Sequence, residues 1–295
     1  MRHFKVRVAG GRSVMVRDTG GPDSGESTVM YFHGTPGSRL EPAFGDAISQ
    51  RLGVRVISFD RPGYGESDSA ATTLRIVADD IGAIADAVGV ERFATFGWSG
   101  GGPFALASAA AHGDRVTRVG VSGGLAPMQE MPGARDALTE NDLLALSHLP
   151  AEPERAADEF LAGNRELLDG MMSVRDDAAA PWVDWMWADS DPEVVADKDA
   201  RRSLWVSFRE GLRQGPMAIA WDNVAFVGPW GFELADVVSP VHLWYGTRDA
   251  MAPQANGEWL AKTLPHAELT LVEGEGHLLP LQHWEEMLQS VTAGG

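Results

Sequence analysis

The spacing of hydrophobic positions changes several times along this chain, and each change marks an element. Residues 4–8 and 14–17 alternate apolar and polar side chains around Ala9-Gly10-Gly11, which predicts an antiparallel hairpin. Short, largely apolar runs follow at residues 29–32, 54–59, 93–96 and 116–121. Runs of this kind suit strands buried on both faces, as in a parallel sheet. Between them, residues 74–88 set Ile76, Val77, Ile81, Ile84, Ala85 and Val88 at helical spacing, and residues 103–111 are rich in good helix formers. Strands alternating with helices imply right-handed crossovers in one sheet.

From residue 125 the strand signals stop. Residues 139–149, 153–171, 192–212 and 216–227 read as helices broken by Pro, Gly and Asp. The strand–helix rhythm resumes at residues 241–245, with a helix over 253–264, a strand over 269–272 and a last helix over 281–291. The expected fold class is therefore α/β, a mostly parallel twisted sheet flanked by helices. Residues 1–124 and 236–295 form its core domain, and residues 125–235 form an inserted helical cap.

Composition narrows the function. The chain has 295 residues, and 42 acidic against 24 basic side chains leave a formal charge of −18. That balance argues against a nucleic-acid partner and against docking on an anionic membrane. No cysteine is present, so disulfides, thiolate nucleophiles and Cys-based metal sites are excluded. No apolar stretch resembles a signal peptide or a membrane span, which makes a cytoplasmic protein with a small-molecule substrate the expectation.

The strongest chemical signal is Gly97-Trp98-Ser99-Gly100-Gly101, placed between an apolar run and a helix. A Gly-x-Ser-x-Gly turn in that context forces Ser99 into an exposed elbow, and the flanking glycines relieve collisions with neighbouring backbone. A serine nucleophile needs a base, and the base an orienting acid. Asp249, in Gly246-Thr247-Arg248-Asp249, and His277, in Gly274-Glu275-Gly276-His277, both follow strands in the required order. Of the eight histidines, His283 is the nearest rival, but it lies inside the last helix rather than on a Gly-flanked loop. An oxyanion needs two backbone donors. Gly100 is one candidate. The other comes from His33-Gly34-Thr35-Pro36-Gly37-Ser38, where Pro36 lacks an N–H and Thr35 is preferred. Gly63-Tyr64-Gly65 begins like a dinucleotide fingerprint, but Asp68 stands where its third glycine belongs.

Taken together, these motifs and Asp60-Arg61-Pro62-Gly63-Tyr64-Gly65-Glu66-Ser67-Asp68 resemble those of α/β-hydrolase-fold proteins, in the capped, esterase-like and epoxide-hydrolase-like branch. The resemblance implies a Ser99–Asp249–His277 triad beneath a lid, with no metal or organic cofactor. Haloalkane dehalogenases and epoxide hydrolases carry Asp at the nucleophile position, so Ser99 removes their aspartyl-ester chemistry. The chain is similar to proline iminopeptidases in residues 33–37, whereas Trp98 precedes the serine instead of following it. Meta-cleavage C–C hydrolases and cofactor-free haloperoxidases also use Ser-Asp-His.

The expected activity is hydrolysis of a small, mostly apolar ester or related acyl compound. Alternatives are an amide hydrolase whose lid carboxylates bind a substrate amine, and a ligand receptor on the same fold. Residues 125–235 hold six of the ten tryptophans, and Trp98, Trp182 and Trp185 are the expected substrate contacts. The same segment carries 21 acidic and nine basic side chains, a net −12 that would disfavour anionic substrates and admit neutral or cationic ones.

Overall fold

The computed structural model describes residues 1–20, 27–174 and 180–293. Its centre is one eight-stranded sheet of order β1-β2-β4-β3-β5-β6-β7-β8. Strands β1 (Arg2–Arg7) and β2 (Ser13–Asp18) form the expected hairpin, and β2 runs antiparallel to β4 (Arg55–Phe59). Strands β3 (Thr28–Phe32), β4, β5 (Phe93–Trp98), β6 (Val116–Ser122), β7 (Val241–Gly246) and β8 (Ala267–Val272) are all parallel. The α/β class with a mostly parallel sheet is thus the observed one.

Alternating side chains explain why the central strands are apolar throughout. Met30 and Phe32 pack with helices α2 (Leu74–Ala87) and α3 (Gly101–Ala111), while Val29 and Tyr31 face the opposite core layer. That second layer holds α11 (Leu279–Thr292), whose Trp284 packs edge-on against Tyr31, Phe44 and Phe96. Helices α1 (Asp46–Arg51) and α10 (Gln254–Thr263) complete the core segments.

Between β6 and β7 lie α4 (Glu140–Ser147), α5 (Pro153–Ser173), α6 (Pro181–Trp187), α7 (Pro192–Ala196), α8 (Lys198–Gly211) and α9 (Met217–Val227). The helix read over 192–212 is two helices. Asp197 breaks it by accepting the Asp199 and Ala200 N–H groups at 2.9 and 2.8 Å and so capping α8. The last helix starts at Leu279, with Pro280 in its first turn, where a missing N–H costs nothing. No helix among the described residues is long and apolar enough to cross a membrane.

Helix α8 docks directly on the loop after β3. The Ser38 N–H donates to Ser207 Oγ at 3.1 Å, and Arg39 bonds Asp60 and Glu210 at 2.5 and 2.8 Å. The helical block therefore sits over the carboxyl ends of the strands, where open α/β sheets bind ligands.

Trp284 is 1% exposed and joins the sheet to α11 beneath these strand ends. Trp284→Ala is expected to destabilise the fold by about 3–5 kcal/mol, read as a lower denaturant midpoint at unchanged m-value.

Candidate active site

Strand β5 ends in a turn that has to enter α3 almost at once. Ser99 takes φ 54°, the left-handed region, the only non-glycine among the described residues to do so. Its N–H donates to Ser122 O at 2.8 Å, and its carbonyl accepts from the Gly102 N–H at 2.9 Å. A Cβ on Gly101 would lie 2.1 Å from Phe32 O, so this position must be glycine for α3 to pack on β3.

The loop after β7 brings Asp249 to the loop after β8, which carries His277. Their side chains meet at 2.7 Å, His277 Nδ1–H donating to Asp249 Oδ2. The other carboxylate oxygen, Oδ1, accepts the Met251 and Ala252 N–H groups, each at 2.9 Å. Both side chains are buried. Gly123, at φ 55°, borders the pair closely: a Cβ there would lie 3.1 Å from both Asp249 Oδ2 and His277 Nδ1. Ser99 and His277 line one cavity with about 40 Å³ of open space, room for only a few water molecules.

Beside Ser99, the β3 loop approaches the start of α3, and a Cβ on Gly100 would lie 2.4 Å from Thr35 Oγ1. The backbone around Thr35 is turned by Arg61, whose guanidinium donates to His33 O and, at 3.0 Å, to Gly34 O. Because the Gly34–Thr35 peptide is trans, aiming its carbonyl at Arg61 aims the Thr35 N–H the opposite way. Neither the Thr35 nor the Gly100 N–H is spent on a protein acceptor among the described residues. Helix α9 braces this arrangement: Asp222 Oδ2 accepts from Thr35 Oγ1 at 2.6 Å, Arg61 at 2.6 Å and Tyr64 OH at 2.8 Å.

Of the expected substrate contacts, Trp98 and Trp182 line the cavity. Trp98 is also tied to the histidine loop, donating its indole N–H to His277 O at 2.9 Å. Trp185 is a correction: it is 58% exposed and does not line the cavity. At 3.6 residues per turn, Trp182, Val183, Met186 and Trp187 share the inward side of α6, and Trp185 falls on the outward side. The rival His283 bonds Glu275 at 2.7 Å, away from Ser99.

Two carboxylates had no signal in the sequence. Asp191 stands between α6 and α7, where Asp-Pro reads as an ordinary helix start. It instead accepts three consecutive amides of the histidine loop, Gly276, His277 and Leu278, at 3.2, 3.0 and 3.2 Å. Glu41 follows the β3 loop and lines the cavity, fully buried. Burial pushes its carboxyl up to about 7, against the lowering effect of hydrogen bonds from Gly34 and Tyr31 and the charges of Arg61 and His277. At His277, burial opposes protonation, but Asp249 foremost, then Asp191 and Glu41, outweigh it and raise the imidazole above its ordinary range.

A family model described as alpha/beta hydrolase fold matches residues 27–283. The chain is similar to a proline iminopeptidase of Neisseria meningitidis, 26% identical over 284 residues, covering 88% of this chain and 85% of the relative. It is equally similar to a 2-hydroxy-6-oxononadienedioate/2-hydroxy-6-oxononatrienedioate hydrolase of Paraburkholderia phymatum, 26% identical over 297 residues, covering 96% of this chain and 91% of the relative. Among solved structures, the esterase RhEst1 from Rhodococcus sp. ECU1013 superposes with a TM-score of 0.68 at 21% identity, over 100% of both chains.

Asp191 should therefore act on His277 through charge as well as position. Negative charge favours the imidazolium, so Asp191→Asn, which removes one, is expected to lower the His277 pKa. Imidazole ¹⁵N chemical shifts followed against pH measure this, and an unmoved titration would show that Asp191 acts by geometry alone.

Proposed function

We propose that this chain, which belongs to the α/β-hydrolase fold family, is a serine hydrolase that cleaves a small, mostly apolar ester or related acyl compound through an acyl-enzyme. One observation carries the reading. A histidine bonded to a buried carboxylate lines the same cavity as a serine held on a left-handed turn.

In this mechanism Ser99 Oγ attacks the substrate carbonyl carbon as His277 Nε2 takes its proton. Asp249 holds the Nδ1–H tautomer and stabilises the imidazolium that forms. The Thr35 and Gly100 N–H groups receive the oxyanion, in a dry site where such donors are most effective. The C–O bond then breaks, His277 returns the proton to the leaving alcohol, and an acyl ester remains on Ser99. Water, deprotonated by His277, attacks that ester; the bond to Ser99 Oγ breaks, His277 returns the proton to Ser99 Oγ, and the acid is released.

The cavity supports a compact, uncharged or cationic substrate. Its walls include Trp182, Met186, Leu204 and Phe208, and no Lys or Arg is among the lining residues. A dioate, which the Paraburkholderia relative's name gives as its substrate, finds no counter-charge here and meets Glu41 instead. The structural likeness to RhEst1 supports the fold alone.

Ser99→Ala is expected to cut hydrolysis of short p-nitrophenyl esters by at least about 10⁴-fold and to abolish fluorophosphonate labelling. Turnover surviving in Ser99→Ala would overturn the assignment. Because His277 must be neutral to accept the proton, kcat/KM should fall as pH drops through the raised His277 pKa. Asp191→Ala, which frees three amides of that loop, should lower kcat about 10- to 100-fold through misplacement of the imidazole. The acid limb of its pH–rate profile should also move to lower pH, a change that simple loss of folded protein does not produce.

A further inference from the structure

We propose that Glu41 is an ammonium-binding subsite, and that the preferred substrates carry a protonated amine on the acyl carbons next to the scissile carbonyl. This rests on the serine-hydrolase reading and specifies its substrate class.

The carboxylate is built into the site. Tyr31 OH and the Gly34 N–H both donate to its Oε2, at 2.9 and 2.8 Å. Its Oε1 accepts no hydrogen bond among the described residues. That free oxygen lies close to the nucleophile: the point where a Gly34 Cβ would sit is 3.4 Å from Glu41 Oε1 and 3.6 Å from Ser99 Cβ. An amine one or two carbons from the acyl carbon reaches it, and a more distant one overshoots.

The hydrogen bonds to Glu41 alone do not require a charge here. A glutamine carbonyl would accept the same two bonds without the cost of burying an ionised group. Glu41 has no salt-bridge partner within the cavity, and the nearby Arg61 is paired at 2.6 Å with Asp222. A ligand cation supplies the missing partner, and a buried carboxylate without one is costly enough to make the gain large.

The surroundings fit the same ligand. Trp98, Trp182 and Trp187 line the cavity beside Glu41, and tryptophan attracts ammonium groups most strongly among aromatic side chains. A carboxylate among tryptophan rings suits a cation, whereas an ester without an amine would use only the apolar walls. The net −12 of residues 125–235 contributes a field of the same sign. Among the described residues, no acidic side chain of that segment lines the cavity, so the amine-binding carboxylate comes from the core loop.

The test compares alanine methyl ester and β-alanine methyl ester with methyl propionate, which lacks only the amine, at a pH where the amines are protonated. In the wild type, kcat/KM for at least one amino ester should exceed that for methyl propionate by about tenfold or more. Glu41→Gln should bring the ratio close to one, and Glu41→Asp should retain part of it. Because each ratio is taken on one protein sample, partial misfolding of a variant cancels. A wild-type ratio of one or less, or a ratio unchanged in Glu41→Gln, overturns the subsite. Fluorophosphonate labelling of Ser99 separates the two possible failures. Labelled wild type with no amine preference overturns the subsite alone, while unlabelled wild type with no turnover overturns the hydrolase reading and the subsite with it.

Discussion

The left-handed backbone of Ser99 is the constraint around which the rest of the molecule is arranged. A parallel strand must turn into a helix within about two residues, and an L-residue at φ 54° is tolerated only where packing leaves no alternative. Here the packing is the approach of α3 to β3, so close that Gly101 has no room for a side chain beside Phe32 O. The turn is tied to the sheet through Ser99 N–H to Ser122 O. In return the serine side chain stands clear of strand and helix, facing the cavity.

Around that point the helical block is bonded into the candidate site from both sides. Asp191 grips the histidine loop by three amides, and Asp222 holds Thr35, Arg61 and Tyr64 on the opposite side of the cavity. Both halves of the site are thus positioned by residues of the inserted segment. A displacement of α6 and α7 would release the histidine loop, and a displacement of α9 would release the loop carrying Thr35. The positions of His277 and Thr35 thus depend on hydrogen bonds to the helical block.

Electrostatics follows from the same geometry. Three carboxylates, Asp249, Asp191 and Glu41, act on one imidazole and favour its charged form. Only Asp249 touches the ring. Asp191 works through the loop backbone, and Glu41 reaches His277 across the cavity, with one of its oxygens left for a ligand. With Glu41 and no lysine or arginine among the described lining residues, the cavity offers an anionic group no counter-charge, a property set by placement and not by overall composition.

Much of this was legible in the chain itself. The apolar runs marked the parallel strands because both faces of such a sheet are covered. Ser99, Asp249 and His277 stood out because a nucleophile elbow, a post-strand acid and a Gly-flanked histidine are local patterns with fixed order. Helix limits near 197 were not legible, since a single side-chain cap at Asp197 outweighed the continuing periodicity. Trp185 looked equivalent to Trp182 until a helix of seven residues turned one inward and the other to solvent. Glu41, Asp191 and Asp222 resembled ordinary surface acids, because nothing local distinguishes a solvated carboxylate from a buried one. The sequence by itself determined the strand–helix order and the candidates for nucleophile, base and acid, which are marked by patterns within a few residues. Only the tertiary structure decided which carboxylates are buried, which tryptophans face Ser99 and what holds the histidine loop, because these depend on groups brought together from distant parts of the chain.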